Sequence, residues 1–110
     1  MNWNSLQDEH QIDDIRQQPG YSLIFKHSTR CSVSMMAKRK LEHEADDLPE
    51  EITPYFLDLI RYRNVSNKIA DDFHVHHESP QLLLIKDGEC ILDQSHGQIS
   101  VDEVLEMITA

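Results

Sequence analysis

Residues 81–86 read Gln-Leu-Leu-Leu-Ile-Lys and run directly into Asp87-Gly88. Four consecutive branched aliphatics bounded by turn residues predict a buried strand over Gln81–Lys86. Asp-Gly is among the strongest two-residue hairpin signals, so the chain should return antiparallel over Glu89–Gln94. A strand that is apolar on both faces needs cover on both, which calls for helices above and below a sheet.

The remaining segments supply that cover. Ser5–Gln17 reads as a helix capped by Ser5, with Leu6, Ile12 and Ile15 inward, and Pro19-Gly20 breaks it. Tyr21–Lys26 reads as a buried strand, and Ser28–Cys31 as a turn. Ser32 to about Leu48 reads as a helix, with Val33, Met36, Ala37, Leu41, Ala45 and Leu48 at helical spacing. A polar loop between Pro49 and Pro54 leads to a strand at Tyr55–Ile60. A helix over Asn64–Phe73 is started by Asn64, with Val65, Ile69, Ala70 and Phe73 on one side. Ser100-Val101-Asp102-Glu103 reads as a capping box opening a last helix, with Val101, Val104, Leu105 and Ile108 inward. The order is α-β-α-β-α-β-β-α. Its first β-α-β should be a right-handed parallel crossover. The expected class is α/β, a small four-stranded mixed sheet flanked by helices in one domain over residues 1–110.

Charge and cysteine usage narrow the function. The net charge is −10, which would repel a polyanion and argues against a nucleic-acid partner. No apolar run approaches the roughly 20 residues of a membrane span. The polar start Met1-Asn2-Trp3-Asn4 lacks the apolar core of a signal peptide, so a cytoplasmic location is expected and Cys31 and Cys90 should be reduced at rest. The charge is unevenly spread. From Ile15 to Leu41, 27 residues contain no Asp or Glu but hold six of the ten basic residues: Arg16, Lys26, Arg30, Lys38, Arg39 and Lys40. Cys31 lies inside this window, a locally positive setting suited to a thiolate and an anionic substrate.

A thiol attacks as thiolate, which a helix start and nearby cations favour. Cys31 should have both, at the carboxyl end of strand 21–26, with Arg30 adjacent and Lys26 and His27 close by. The sequence Cys31-Ser32-Val33-Ser34 has serine where a Cys-x-x-Cys motif has its second thiol. Ser34 cannot form a disulfide, but it could donate a hydrogen bond to a thiolate one turn back. Cys90 lies just past the hairpin, about 20 Å along strand 81–86 from the site. A disulfide needs Cα atoms within about 7 Å, so Cys90 reads as a small buried hydrophobe. Exchange at Cys31 would then be monothiol, with an external thiol as resolver. His74, His76 and His77 could be metal ligands together with Cys31 or His27, but no second cysteine or His-x-x-x-His pair is nearby, and no metal is expected.

Three stretches together resemble the monothiol bacilliredoxin-like proteins of the bacillithiol system, which are of thioredoxin-like fold. They are Ile24–Ser34, Tyr62–Ala70 and His77–Gln81, with Ser32 where family members often have proline. The resemblance runs over nearly the whole chain. It implies exchange that removes a bacillithiol-like low-molecular-weight thiol from mixed disulfides with protein cysteines. It implies Cys31 as the attacking cysteine and Pro80 as a cis-proline facing it. Ser79 would present its backbone to the substrate, and His96 and Gly97, with Gln98, would line the cosubstrate cleft. Arg30, Lys26 and Ser34 are the expected thiolate-stabilising residues. No bound cofactor is expected; the low-molecular-weight thiol is a cosubstrate, and the partners are proteins carrying mixed disulfides. Two other classes fit the same residues: a thiol or metal-cluster carrier without turnover, and a non-catalytic redox sensor.

Overall fold

In a computed structural model describing residues 1–109, the apolar strand sits next to the middle of a five-stranded sheet. The strands are β1 (Asn4–Ser5), β2 (Tyr21–His27), β3 (Thr53–Asp58), β4 (Gln81–Lys86) and β5 (Glu89–Ser95), in the order β1-β3-β2-β4-β5. β1 and β2 both run parallel to β3, while β4 is antiparallel to its neighbours β2 and β5. Helices α1 (Glu9–Gln17) and α3 (Arg63–Phe73) cover one face, and α2 (Ser32–Glu44) and α4 (Val101–Thr109) the other.

Side-chain alternation divides the core accordingly. Ile24, Leu83 and Ile85 meet Ile12 and Ile15 of α1 and Val65, Ile69 and Phe73 of α3. Leu23, Phe25, Leu82 and Leu84 meet Ala37 and Leu41 of α2 and Val101 and Val104 of α4.

Several expected boundaries are corrected. The sheet has five strands rather than four, because Asn4 and Ser5 are extended beside Tyr55 and Phe56. Ser5 therefore caps nothing. Asp8 caps α1, accepting from the His10 N–H (2.9 Å) while Gln11 Oε1 accepts from the Asp8 N–H (3.0 Å). β3 begins at Thr53, two residues early, with Pro54 near its start, where a missing N–H is tolerated. α2 ends at Glu44 and tightens into a 3₁₀ turn at Ala45–Asp47; acids crowd its negative pole there. Val33 and Met36 face outward, because the inward stripe is Ser34, Ala37 and Leu41. Asn64 is not the cap of α3. Tyr62 occupies that position, and Asn64 Nδ2 donates to Glu9 Oε2 (3.2 Å). The Ser100 N–H donates to Gln94 Oε1 (3.1 Å), so Glu103 does not complete a capping box.

The hairpin turn is built as its residues demand. Asp87 and Gly88 both have positive φ, 49° and 84°, the signature of a type I′ turn. Asp87 anchors the turn to the Pro19-Gly20 corner, its carboxylate accepting from the Gly20 N–H (2.7 Å). A Cβ on Gly88 would overlap the Arg16 carbonyl oxygen. Gly88→Ala should therefore cost about 1–3 kcal/mol of unfolding free energy in urea titration. Thiol exchange per folded molecule should be unchanged.

Candidate functional site

β2 carries the chain to the edge where Cys31 sits. After His27 a turn closes with the Cys31 N–H donating to the Ser28 carbonyl (3.3 Å). Cys31 is the N-cap of α2, extended at φ −116°, ψ 121°, and its carbonyl accepts from the Met35 N–H (3.1 Å). Its side chain makes no capping hydrogen bond, and the residue is partly exposed. The first-turn N–H groups of α2 lack partners within the helix and lie beside the sulfur's residue, a local positive pole. Exposed Arg30 flanks it.

Ser34, one helical turn on, is fully buried, and its hydroxyl is engaged away from the thiol. Ser34 Oγ accepts from the Ser28 N–H (2.9 Å) and hydrogen-bonds His27 Nδ1 (2.7 Å). This corrects the expectation that Ser34 donates to the cysteine. The hydroxyl ties the end of β2 to the first turn of α2 and so holds the corner on which Cys31 sits. Burial, and then Lys38, push the His27 pKa below its usual value, so the ring is neutral near pH 7. Its other neighbours are the rings of Phe25 and Phe56.

Lys26 is also corrected. It alternates onto the sheet face covered by α1 and α3, opposite α2, and has no exposed surface. Its Nζ donates to His77 Nδ1 (2.8 Å), which leaves the His77 proton on Nε2. Ser66 Oγ lies 3.4 Å from the same nitrogen. Burial lowers the Lys26 pKa to about 8. The His77 pKa is lowered too, by burial first and then by Lys26 and Arg63. Lys26 is thus a buried cation on a neutral imidazole, not a surface charge flanking the thiol.

The basic window is accordingly narrower than its sequence suggests. Lys38 pairs with Glu42 (2.7 Å), and Arg16 approaches Asp72 (3.8 Å) near the hairpin end. Arg30, Arg39 and Lys40 remain, exposed and in no salt bridge among the described residues.

β4 begins beside the end of β2, with Gln81 opposite Lys26. The Ser79–Pro80 peptide directly before it is cis. β5 returns to the same edge, Ser95 opposite Gln81, and turns through His96–Gln98. The His96 N–H donates to the Pro80 carbonyl (3.1 Å), and His96 Nε2 lies 3.4 Å from Glu78 Oε2. Ser79, Pro80, His96 and Gly97 are therefore gathered at one edge, the end of the sheet from which Cys31 emerges. His96 and Gly97 also line a groove of about 370 Å³ against α2.

Cys90 faces Ile85 at the hairpin end of the sheet. It is half-buried, its Sγ donates to the Leu92 carbonyl (3.4 Å), and burial pushes its thiol up to about 11. Two of the three clustered histidines have different settings. His74 is the left-handed C-cap of α3, whereas His77 reaches Lys26. Among the described residues no three His, Cys, Asp or Glu side chains converge as a metal site. No helix among them is long and apolar enough to cross a membrane.

Sequence reasoning missed Ser28, Ser66 and Glu78, and it missed His27 as the partner of Ser34 and His77 as the partner of Lys26. Period-2 alternation along 21–27 would have separated Lys26 from His27.

The family model described as monothiol bacilliredoxin BrxC matches residues 4–104. Among solved structures, a thioredoxin-fold protein proposed to be an oxidoreductase is 26% identical, with a TM-score of 0.81 over 93% of this chain and 89% of that one. A thioredoxin of Malassezia sympodialis, Mala s 13, has a TM-score of 0.75 at 14% identity, over 98% of this chain and 89% of that one. The second shows likeness of fold alone.

Proposed function

The chain belongs to the monothiol bacilliredoxin family and has the thioredoxin fold, and from that premise we propose that it is a cytoplasmic thiol–disulfide oxidoreductase working through Cys31 alone. Its substrates are proteins whose cysteines carry a mixed disulfide with a bacillithiol-like thiol, target–S–S–R. The Cys31 thiolate attacks the sulfur of R. The target cysteine leaves as thiolate and takes up a proton, and Cys31–S–S–R remains. The thiolate of a second R–SH then attacks the R sulfur, forming R–S–S–R and returning Cys31 to thiolate. The net reaction exchanges one disulfide for another: target–S–S–R and R–SH give target–SH and R–S–S–R, the sulfur of the second thiol being oxidised as the target sulfur is reduced.

One observation carries the monothiol reading. The position where an internal resolver would sit is a buried serine bonded to His27 and Ser28, and the other cysteine is at the opposite end of the sheet. Arg30 and the first turn of α2 supply the positive setting for the thiolate. Ser79–Pro80 and His96–Gly97 form the edge against which the disulfide lies.

The test is intact-protein mass spectrometry after treatment with oxidised bacillithiol and, separately, oxidised glutathione. The expected result is one bacillithiol adduct, mapped to Cys31, that disappears on adding reduced bacillithiol. Cys31 unmodified by both disulfides would overturn the exchange reading. Equal adducts with both would overturn bacillithiol as the cosubstrate.

A further inference from the structure

Lys26 is the only Lys, Arg, Asp or Glu that is buried among the described residues, and the exchange steps leave it without a part. No carboxylate pairs with it there, so the fold carries a cation that weakens it. A destabilising ionisable group at the site end of the sheet is a candidate for function.

Its place is specific. Lys26 stands opposite Gln81, the first residue of β4 and the one after Pro80. Two buried side chains pin the segment before β4. Gln81 Nε2 donates to the His76 carbonyl (3.0 Å), and Lys26 Nζ donates to His77 Nδ1 (2.8 Å). His96 holds the same segment from the end of β5, through Glu78 and the Pro80 carbonyl. His77 itself is exposed. With Nδ1 turned in to the buried ammonium, the exposed side of the ring is Nε2, which carries the proton. A hydrogen-bonded line thus runs from a buried ammonium to the surface, three residues before the Pro80 edge to which the exchange reading assigns the disulfide.

That reading needs a proton carrier. The target sulfur leaves as thiolate and must be protonated, and the second R–SH must lose a proton to attack. The charged and titratable groups facing His77 are Lys26 from β2, Arg63 from α3, and Glu78 and His76 on its own segment. Burial, then Lys26 and Arg63, keep the ring neutral near pH 7. Burial alone brings the Lys26 ammonium to about 8, within the range of an ordinary thiol, so a proton can pass either way.

We propose that Lys26 and His77 form a proton relay that protonates the departing target thiolate and is recharged by the second thiol. The proposal rests on the exchange reading and names what moves the protons in it. In the first step His77 Nε2–H gives its proton to the target sulfur, and Nδ1 takes one from the Lys26 ammonium. Lys26 is left as a neutral amine accepting from Nδ1–H, with Nε2 bare. In the second step Nε2 takes the proton of R–SH, whose thiolate attacks the disulfide on Cys31, and Nδ1 returns its proton to Lys26. The cycle moves one proton from R–SH to the target thiol and leaves the relay as it began. His77 meets the sulfur, and Lys26 acts through it.

The experiment follows the first step alone, in single turnover, with two disulfides that leave the same adduct on Cys31. From oxidised bacillithiol the departing group is an alkyl thiol, which needs the proton. From the mixed disulfide of bacillithiol with thionitrobenzoate it is an aryl thiol, stable as thiolate. Wild type, Lys26→Met and His77→Gln are compared from about pH 6 to about pH 10, on both sides of the Lys26 titration. Urea unfolding establishes that each is folded. Below about pH 8 each variant should react with oxidised bacillithiol about tenfold more slowly than wild type, and with the aryl disulfide less than about twofold more slowly. With oxidised bacillithiol the ratio of wild type to Lys26→Met should fall toward one as pH rises through about 8, because the ammonium that supplies the proton is lost. A side chain that only holds segment 76–80, or a cation that only favours the Cys31 thiolate, would instead affect both disulfides alike. That result, a ratio flat with pH, or wild-type behaviour in His77→Gln would overturn the relay while leaving exchange at Cys31 intact. No adduct on wild type from either disulfide would overturn the exchange reading on which the relay rests.

Discussion

Cys31→Ser should lower the release of a low-molecular-weight thiol from protein mixed disulfides to the spontaneous rate, a loss on the order of 10³-fold. Cys90→Ser should leave the rate per folded molecule unchanged. The asymmetry follows from placement. Cys31 is partly exposed, at the positive pole of α2, beside Arg30. Cys90 is packed against the α1 and α3 layer, with its thiol pushed to about 11. At pH 7 that leaves roughly one Cys90 thiolate in ten thousand. No internal thiol is in place to finish the reaction, so wild-type turnover should rise with the concentration of added small thiol. Turnover in Cys31→Ser, or turnover lost in Cys90→Ser, would overturn this placement; both are read by following thiol release in the same assay.

The parts of this molecule legible in its sequence are those set by local chemistry. Leu82–Ile85 could only be a buried strand, and Asp87-Gly88 turned as a type I′ hairpin because both residues accept positive φ. Cys31 at a strand-to-helix corner followed from the change of periodicity at Ser28–Ser32. Features decided by long-range pairing were not legible. Two residues, Asn4 and Ser5, carry no strand signal of their own, and they are extended because the edge of β3 accepts them. A serine before a helical pattern looks like a cap wherever it stands, and only the tertiary position of Asp8 decides between the two.

The site divides in the same way. The placing of Cys31 at the start of α2 and the cis peptide before β4 were visible, one from a motif and the other from a resemblance. The roles of Ser34 and Lys26 were not, because each depends on which side of the sheet its neighbour occupies. Ser34 points into the corner and finds His27, whereas Lys26 points through to the opposite layer and finds His77. Reading charge along the chain as charge around the thiol therefore overcounted, since Lys26, Lys38 and Arg16 are each engaged elsewhere. Met36, expected in the core, lies outside it because Ser34, Ala37 and Leu41 already fill the inward stripe of α2.

Lys26→Met should stabilise the protein at pH 7 by about 2–3 kcal/mol, and that gain should fade at high pH. The side chain is wholly buried, pairs with no carboxylate among the described residues, and is held by a neutral imidazole. Desolvation alone lowers its pKa from 10.5 to about 8. That difference corresponds to about 3 kcal/mol of native-state penalty, present wherever the folded chain must carry the charge. Between pH 8 and 10.5 the unfolded chain binds the proton more tightly than the native one, so wild-type stability gains from this group as pH rises. The penalty is complete below about pH 8 and gone above about 10.5. Methionine keeps the aliphatic stem and removes the charge, and exposed His77 can turn to water. Urea unfolding followed through Trp3, the single tryptophan, packed near Phe25 and Phe56, measures both proteins in one way. The difference between variant and wild type should shrink from its pH 7 value toward zero by about pH 11. A variant no more stable than wild type at pH 7 would mean that the His77 contact fully offsets desolvation. A gain that stays flat with pH would mean that packing, and not the buried charge, sets it.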